Sequence, residues 1–148
     1  MQFYSLAILS PLRIGDTMLY DTVDRGNIET MVREFYAILI KDDIVGPYFI
    51  KALGSDLKND KWYEHFQTLN KFWLMMMNGE PGYMGDPFGP HVFIGELSPE
   101  TFERWLKVFK THVDKLYVPE IADKFYKKGE ILADQFMQRL EIGKYEEE

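Results

Sequence analysis

Few side chains in this 148-residue chain are able to bind a metal or move a proton. No cysteine is present, which removes disulfides, thiolate zinc sites and cysteine nucleophiles and leaves His, carboxylate and Met as metal ligands. The histidines are His65, His91 and His112. His65 falls on an apolar helical stripe beside Phe66 and Leu69, where a histidine is more often a satisfied core residue than a ligand. His112 stands beside Val113 and reads as packing or surface. His91 differs from both. It lies near the end of GEPGYMGDPFGPHVF, residues 79–93, which holds four glycines and three prolines in fifteen residues and cannot form a regular helix. An imidazole there is open to two readings, a capping or surface histidine and a delivered metal ligand. Tyr36, on the flank of an apolar stripe, and Trp105, central to another, each read by themselves as packing residues. The chain carries no Gly-rich phosphate loop, GxSxG, HExxH or Walker pattern.

The elements that must hold these residues read as helices. NIETMVREFYAILIK places Ile28, Met31, Val32, Phe35, Ile38 and Leu39 at 3.6-residue spacing, with Asn27 as the expected N-cap. Gly46-Pro47 breaks the pattern, forces a corner and drives Phe49 inward. A second helix is predicted from about Asp60 to Met77, with Trp62, His65, Phe66, Leu69, Phe72, Trp73 and Met76 on one face. Asn78-Gly79 stops it. Ser98-Pro99-Glu100 supplies a cap, a first-turn proline and an acid for a third, striped by Phe102, Trp105, Leu106, Phe109, Val113 and Leu116. Val118-Pro119 opens a fourth, with Ile121, Phe125, Leu132, Phe136 and Leu140 on its inner face. No segment sustains strand alternation, so four amphipathic helices share one core and the fold class is all-α.

Composition bounds the rest. Apolar residues make up 46% of the chain, enough for a core and too many for a disordered segment. A net charge of −7 argues against a nucleic-acid or anionic-membrane partner. No apolar run approaches the roughly 20 residues of a membrane span. Residues 1–20 are expected to form an N-terminal extension, dispensable to the site, and residues 21–148 the domain. Cytoplasmic residence and a monomer are the expectations.

Taken in order, the pieces carry more than each alone. EFYAILIKDDIVGPYF, WYEHFQTLNKFW, GEPGYMGDPFGPH and TFERWLKVFKTHV resemble the truncated haemoglobins, two-over-two helical globins, and specifically their third group. The likeness covers about residues 27 to 142, and the absence of any Gly-Gly pair fits that group. The resemblance implies a truncated two-over-two globin sandwich holding haem b (iron protoporphyrin IX). It implies His91 as the proximal iron ligand, Tyr36, His65 and Trp105 as the polar set around a bound small ligand, and Phe49, Leu69 and Trp105 as cofactor contacts. It also gives the Gly/Pro loop a purpose. Most of the helix that presents the proximal histidine in a full-length globin is replaced by a loop whose glycines turn tightly and whose prolines limit the alternatives. A neutral imidazole is a good iron ligand, and its second ring nitrogen can be fixed by a backbone carbonyl.

The implied function is reversible binding of dioxygen, nitric oxide or carbon monoxide. A hydrogen bond to a charged group contributes about 1.5–3 kcal/mol, which slows ligand release by roughly ten- to a hundredfold. Two donors would hold a ligand too tightly for bulk transport, so sequestration, detoxification or redox chemistry is expected. Peroxidase-like or nitric-oxide dioxygenase turnover would need an external electron donor. Two other readings belong to different classes. One is a haem-free helical sensor or interaction protein. The other is a non-haem iron enzyme using His65, His91 and Glu64 or Glu96.

Overall fold

The computed structural model describes residues 13–14, 17–85 and 97–139, with side chains from residue 18 onward. Two short strands, β1 (Arg13–Ile14) and β2 (Thr17–Met18), pair antiparallel ahead of five helices. The helices are α1 (Arg25–Leu39), α2 (Gly46–Leu53), α3 (Asp60–Asn78), α4 (Pro99–Leu116) and α5 (Pro119–Arg139). α1 packs on α3 and α4 on α5, with α1 also against α4 and α3 against α5, so one helix pair lies over another.

Helix α1 begins before its expected cap. Asp24 is the N-cap, and its carboxylate accepts from the Asn27 backbone N–H at 2.8 Å. The Asn27 side chain returns the bond to the Asp24 N–H, closing a capping box. The stripe then runs through Ile28, Met31, Val32, Phe35, Tyr36 and Leu39, all buried. Tyr36 is thus inside the stripe rather than on its flank, and Ile38 is left on its outer edge, 47% exposed.

The corner after α1 leads into a helix of its own. Eight residues are too few to show a helical period, so α2 left no clear pattern in the sequence. Pro47 sits in its first turn, where its missing N–H has no helical partner to lose. Gly46 is obligatory for a different reason: a Cβ there would meet the Ile40 carbonyl oxygen at 2.6 Å. That closeness folds α2 back against the end of α1 and buries Phe49. Helix α3 follows its predicted course, capped by Asn59 and ended by Gly79 at φ 68°, a left-handed conformation suited to glycine. α4 starts on the Ser98 cap as expected.

In α5 the expected face is only partly right. Ala122, Phe125, Gly129, Ala133 and Phe136 are buried, Ile121 and Leu132 are half-buried, and Leu140 lies outside the described residues. Small residues carry no weight in a hydrophobic stripe, yet they let α5 lie close to α4. The chain ahead of α1 also joins the body. Leu19 is 2% exposed, and Tyr20 makes an isolated parallel bridge to Tyr117 at the α4–α5 junction. Two backbone hydrogen bonds hold it, from the Tyr20 N–H to Leu116 and from the Val118 N–H to Tyr20, at 2.8 and 2.9 Å.

Candidate functional site

A cavity of about 300 Å³ opens between the helix pairs, at the lower end of the range for small-molecule sites. Every helix contributes. α1 gives Tyr36, α2 gives Tyr48 and Phe49, and α3 gives His65, Thr68, Leu69, Phe72 and Trp73. α4 gives Thr101, Phe102 and Trp105, while α5 gives Leu132, Ala133 and Phe136. Five of the six site residues implied by the resemblance, Tyr36, Phe49, His65, Leu69 and Trp105, therefore face one space. The sixth, His91, lies outside the described residues.

Tyr36 is the centre of the polar wall. It is 5% exposed, with ring centroids 5.2 Å from Phe49, 5.6 Å from His65 and 5.7 Å from Trp62. Trp62 is itself locked, because its indole N–H donates to the Gly54 carbonyl at 2.8 Å and ties the end of α2 to α3. Burial pushes the Tyr36 hydroxyl well above its ordinary range, against a smaller downward pull from a hydrogen bond with the Trp105 side chain. The hydroxyl therefore keeps its proton throughout the neutral range. An indole N–H can only donate, so Trp105 is the donor and the Tyr36 oxygen the acceptor. Among the described residues no hydrogen bond uses the Tyr36 proton.

The frame around this pair is fixed by charge. Asp42, in the corner before α2, accepts from the Ile44 and Val45 N–H groups at 3.0 Å each and from Arg104 Nε at 2.7 Å. Burial raises the Asp42 carboxyl, but the Val45, Arg104 and Ile44 hydrogen bonds outweigh it and hold the group below its ordinary value. Arg104 immediately precedes Trp105, so this bridge clamps the corner that delivers Phe49 to the turn that delivers the indole.

His112 does not belong to the cavity. It is 4% exposed, stacked on Phe35 at 5.8 Å, and its Nε2 donates to the Met31 carbonyl at 3.0 Å. The packing reading holds. Among the described residues no three His, Asp or Glu side chains come together as a metal site. Thr101 and Tyr83 are lining residues that the sequence did not mark, and Phe102 was read there only as part of a helix stripe. Tyr83 comes from the Gly/Pro loop, its ring edge-on to Phe72 at 5.2 Å. Thr101 was hidden by its helix-cap role, and the others look like ordinary aromatic core.

The fold has a solved counterpart. The crystal structure of a group III truncated haemoglobin from Campylobacter jejuni superposes with a TM-score of 0.76, covering 83% of this chain and 95% of that one at 29% identity. The fold is that of a truncated globin. Sequence comparison agrees: the Campylobacter jejuni group 3 truncated haemoglobin ctb is 29% identical over 123 residues, 83% of this chain and 95% of its own length. No family model matches the chain. The all-α, two-over-two expectation and the resemblance to the third group of truncated haemoglobins both hold. Among the described residues no helix is long and apolar enough to cross a membrane.

Proposed function

We propose that the protein holds haem b in this cavity, with His91 as the iron's protein ligand, and retains a small diatomic ligand against Tyr36, Trp105 and His65. The residues fit such a group. Phe49, Leu69, Phe102, Leu132 and Phe136 line an apolar space suited to a flat macrocycle, and the polar side chains enter it from α1, α3 and α4. Haem iron, when bound, supplies reversible coordination of dioxygen, nitric oxide or carbon monoxide.

One observation carries the reading: the buried Tyr36 hydroxyl, which keeps its proton, and the Trp105 indole line the same largely apolar cavity, so proton donors face whatever else the cavity contains. A ligand with partial negative charge gains from such a donor and is released slowly. Slow release suits sequestration, detoxification or redox chemistry better than delivery. Turnover of either redox type named above requires an external electron donor. The curated relative's name is that of a haemoglobin, which points the same way.

The test is the protein ligand. The purified protein should show a Soret band and a stoichiometric pyridine haemochrome. His91→Gly should lose the haem, or keep it only when imidazole is supplied. Haem content and spectrum unchanged in that variant overturn the assignment of His91.

A further inference from the structure

The indole of Trp105 is held from behind. Its ring stacks on Phe109 at 4.9 Å and 19°, and Phe109 stacks in turn on Trp73 at 5.2 Å and 23°. Phe109 is fully buried and also meets the edges of Phe35 at 5.1 Å and Phe125 at 6.3 Å. Four aromatic neighbours leave this ring nowhere to go without moving one of them.

α5 lies against this cluster at Gly129. A Cβ at that position would stand 3.2 Å from both Cδ2 and Cε2 of Phe109 and 3.5 Å from Cδ2 of Leu106. The first two approaches are tighter than carbon atoms ordinarily make, so the phenyl ring would have to yield by a few tenths of an ångström. Close-packed interiors transmit such a displacement rather than absorb it. Phe35 and Phe125 are wholly buried; Trp73 and Trp105 both line the cavity, but Trp73 is 3% exposed whereas Trp105 is half-buried and the less confined of the two stacked partners. The easiest direction of yield is therefore through Trp105 and toward the cavity.

A glycine inside a helix is a cost to explain. It is less favourable than alanine by about 0.8–1 kcal/mol in a helix interior. Gly129 has an ordinary helical backbone, so no special conformation requires it. What requires it is the ring it faces.

We propose that Gly129 is a positioning residue for the cavity's polar wall. By leaving room for Phe109, it sets where the Trp105 N–H meets the Tyr36 hydroxyl. Gly129 and Phe109 touch no ligand in this account, and their effect passes through Trp105. For ligand release, the proposal rests on the haem reading above. The placement of the indole does not, which keeps the two failures separable.

The experiment pairs a structural readout with a kinetic one. The indole ¹H–¹⁵N resonance of Trp105 is assigned by its loss in Trp105→Phe and recorded on the protein as purified, with carbon monoxide bound where haem is present. Gly129→Ala should displace that resonance. Thermal stability should change little, because helix propensity and crowding oppose each other. Dioxygen release should change by about three- to tenfold, a partial loss of one hydrogen bond. In the Trp105→Phe background the same substitution should alter release by less than about twofold, since coupled residues are non-additive. An unmoved indole resonance overturns the proposal, as does a kinetic effect that persists in full without Trp105. A displaced resonance in a protein that holds no haem supports the positioning role and overturns only the haem reading. Should Gly129→Ala not accumulate as folded protein, Phe109→Leu disturbs the same stack by removal. It must displace the same resonance, and failure to do so is equally decisive against the proposal.

Discussion

Tyr36 and Tyr117 are the same side chain in two settings. Both are buried, 5% and 0% exposed, and burial raises both hydroxyls above their ordinary range. They differ in the direction of the hydrogen bond. Tyr117 donates to Asn27 Oδ1 at 2.9 Å, and the Asn27 amide donates onward to the Thr22 carbonyl at 2.9 Å, so the network closes on itself. Tyr36 receives its bond from an indole that cannot accept one back. A buried hydroxyl whose proton is used is part of the scaffold, and one whose oxygen is used keeps a proton for something else. Burial alone does not separate the two cases.

The largest expected effect falls on Tyr36. Tyr36→Phe removes one hydroxyl and leaves the ring, so the fold should persist while dioxygen release speeds up by about ten- to a hundredfold. The same change frees the Trp105 N–H, so the double variant with Trp105→Phe should release at least as fast. Slower release in the single variant, with acceleration only in the double, would make the indole the principal donor and break the contrast with Tyr117. Rapid-mixing measurements on the three proteins decide it.

Tyr117→Phe should give the opposite profile. Asn27 Oδ1 retains the Asp24 N–H as a donor at 3.1 Å, so the loss is about 1 kcal/mol and roughly 2–4 °C in Tm. Dioxygen release should stay within about twofold of the parent. A release rate moved as far as by Tyr36→Phe would erase the distinction between the two sites.

The smallest effect tests whether His112 belongs with the closed set. Burial lowers its pKa below the ordinary 6.5, against upward pulls from its bond to Met31 and the charge of Glu34. The unfolded chain therefore takes up this proton first as pH falls. The stability contributed by the neutral ring is complete above about 6.5 and declines as pH drops from there toward the lower folded-state value. His112→Phe keeps a ring against Phe35 and should make this part of the decline disappear. Denaturant midpoints at pH 7.5 and 5.5 measure the difference. An unchanged pH dependence in the variant would mean that the imidazole titrates freely and is not part of the scaffold.

What could be read from the sequence followed the range of the interactions. α3 was legible almost to the residue because its stripe spans 19 positions and its stop signal is local. α1 was placed correctly but started at Asn27, since Asp24 and Asn27 are both capping types and only the three-dimensional box says which leads. α2 was too short to show a period. In the cavity, Tyr36, His65 and Trp105 could be named from the ordered family likeness. The hydrogen bond between Trp105 and Tyr36 could not, because it crosses from α4 to α1. Gly129 was invisible for the converse reason, since its role lies in the side chain it does not have.

The contact between Tyr117 and Asn27 spans 90 positions of chain. α4 and α5 are neighbours in sequence, so they can pair at little entropic cost, whereas bringing α1 to the Tyr117 junction closes a loop through most of the molecule. The two halves of the polar wall lie on opposite sides of that closure, Trp105 on the local hairpin and Tyr36 on the distant arm. A partly assembled chain can thus present an aromatic groove but not the donor pair. Completion of the polar wall and closure of that long circuit become one event, so the donor pair is a property of the whole topology rather than of any helix within it.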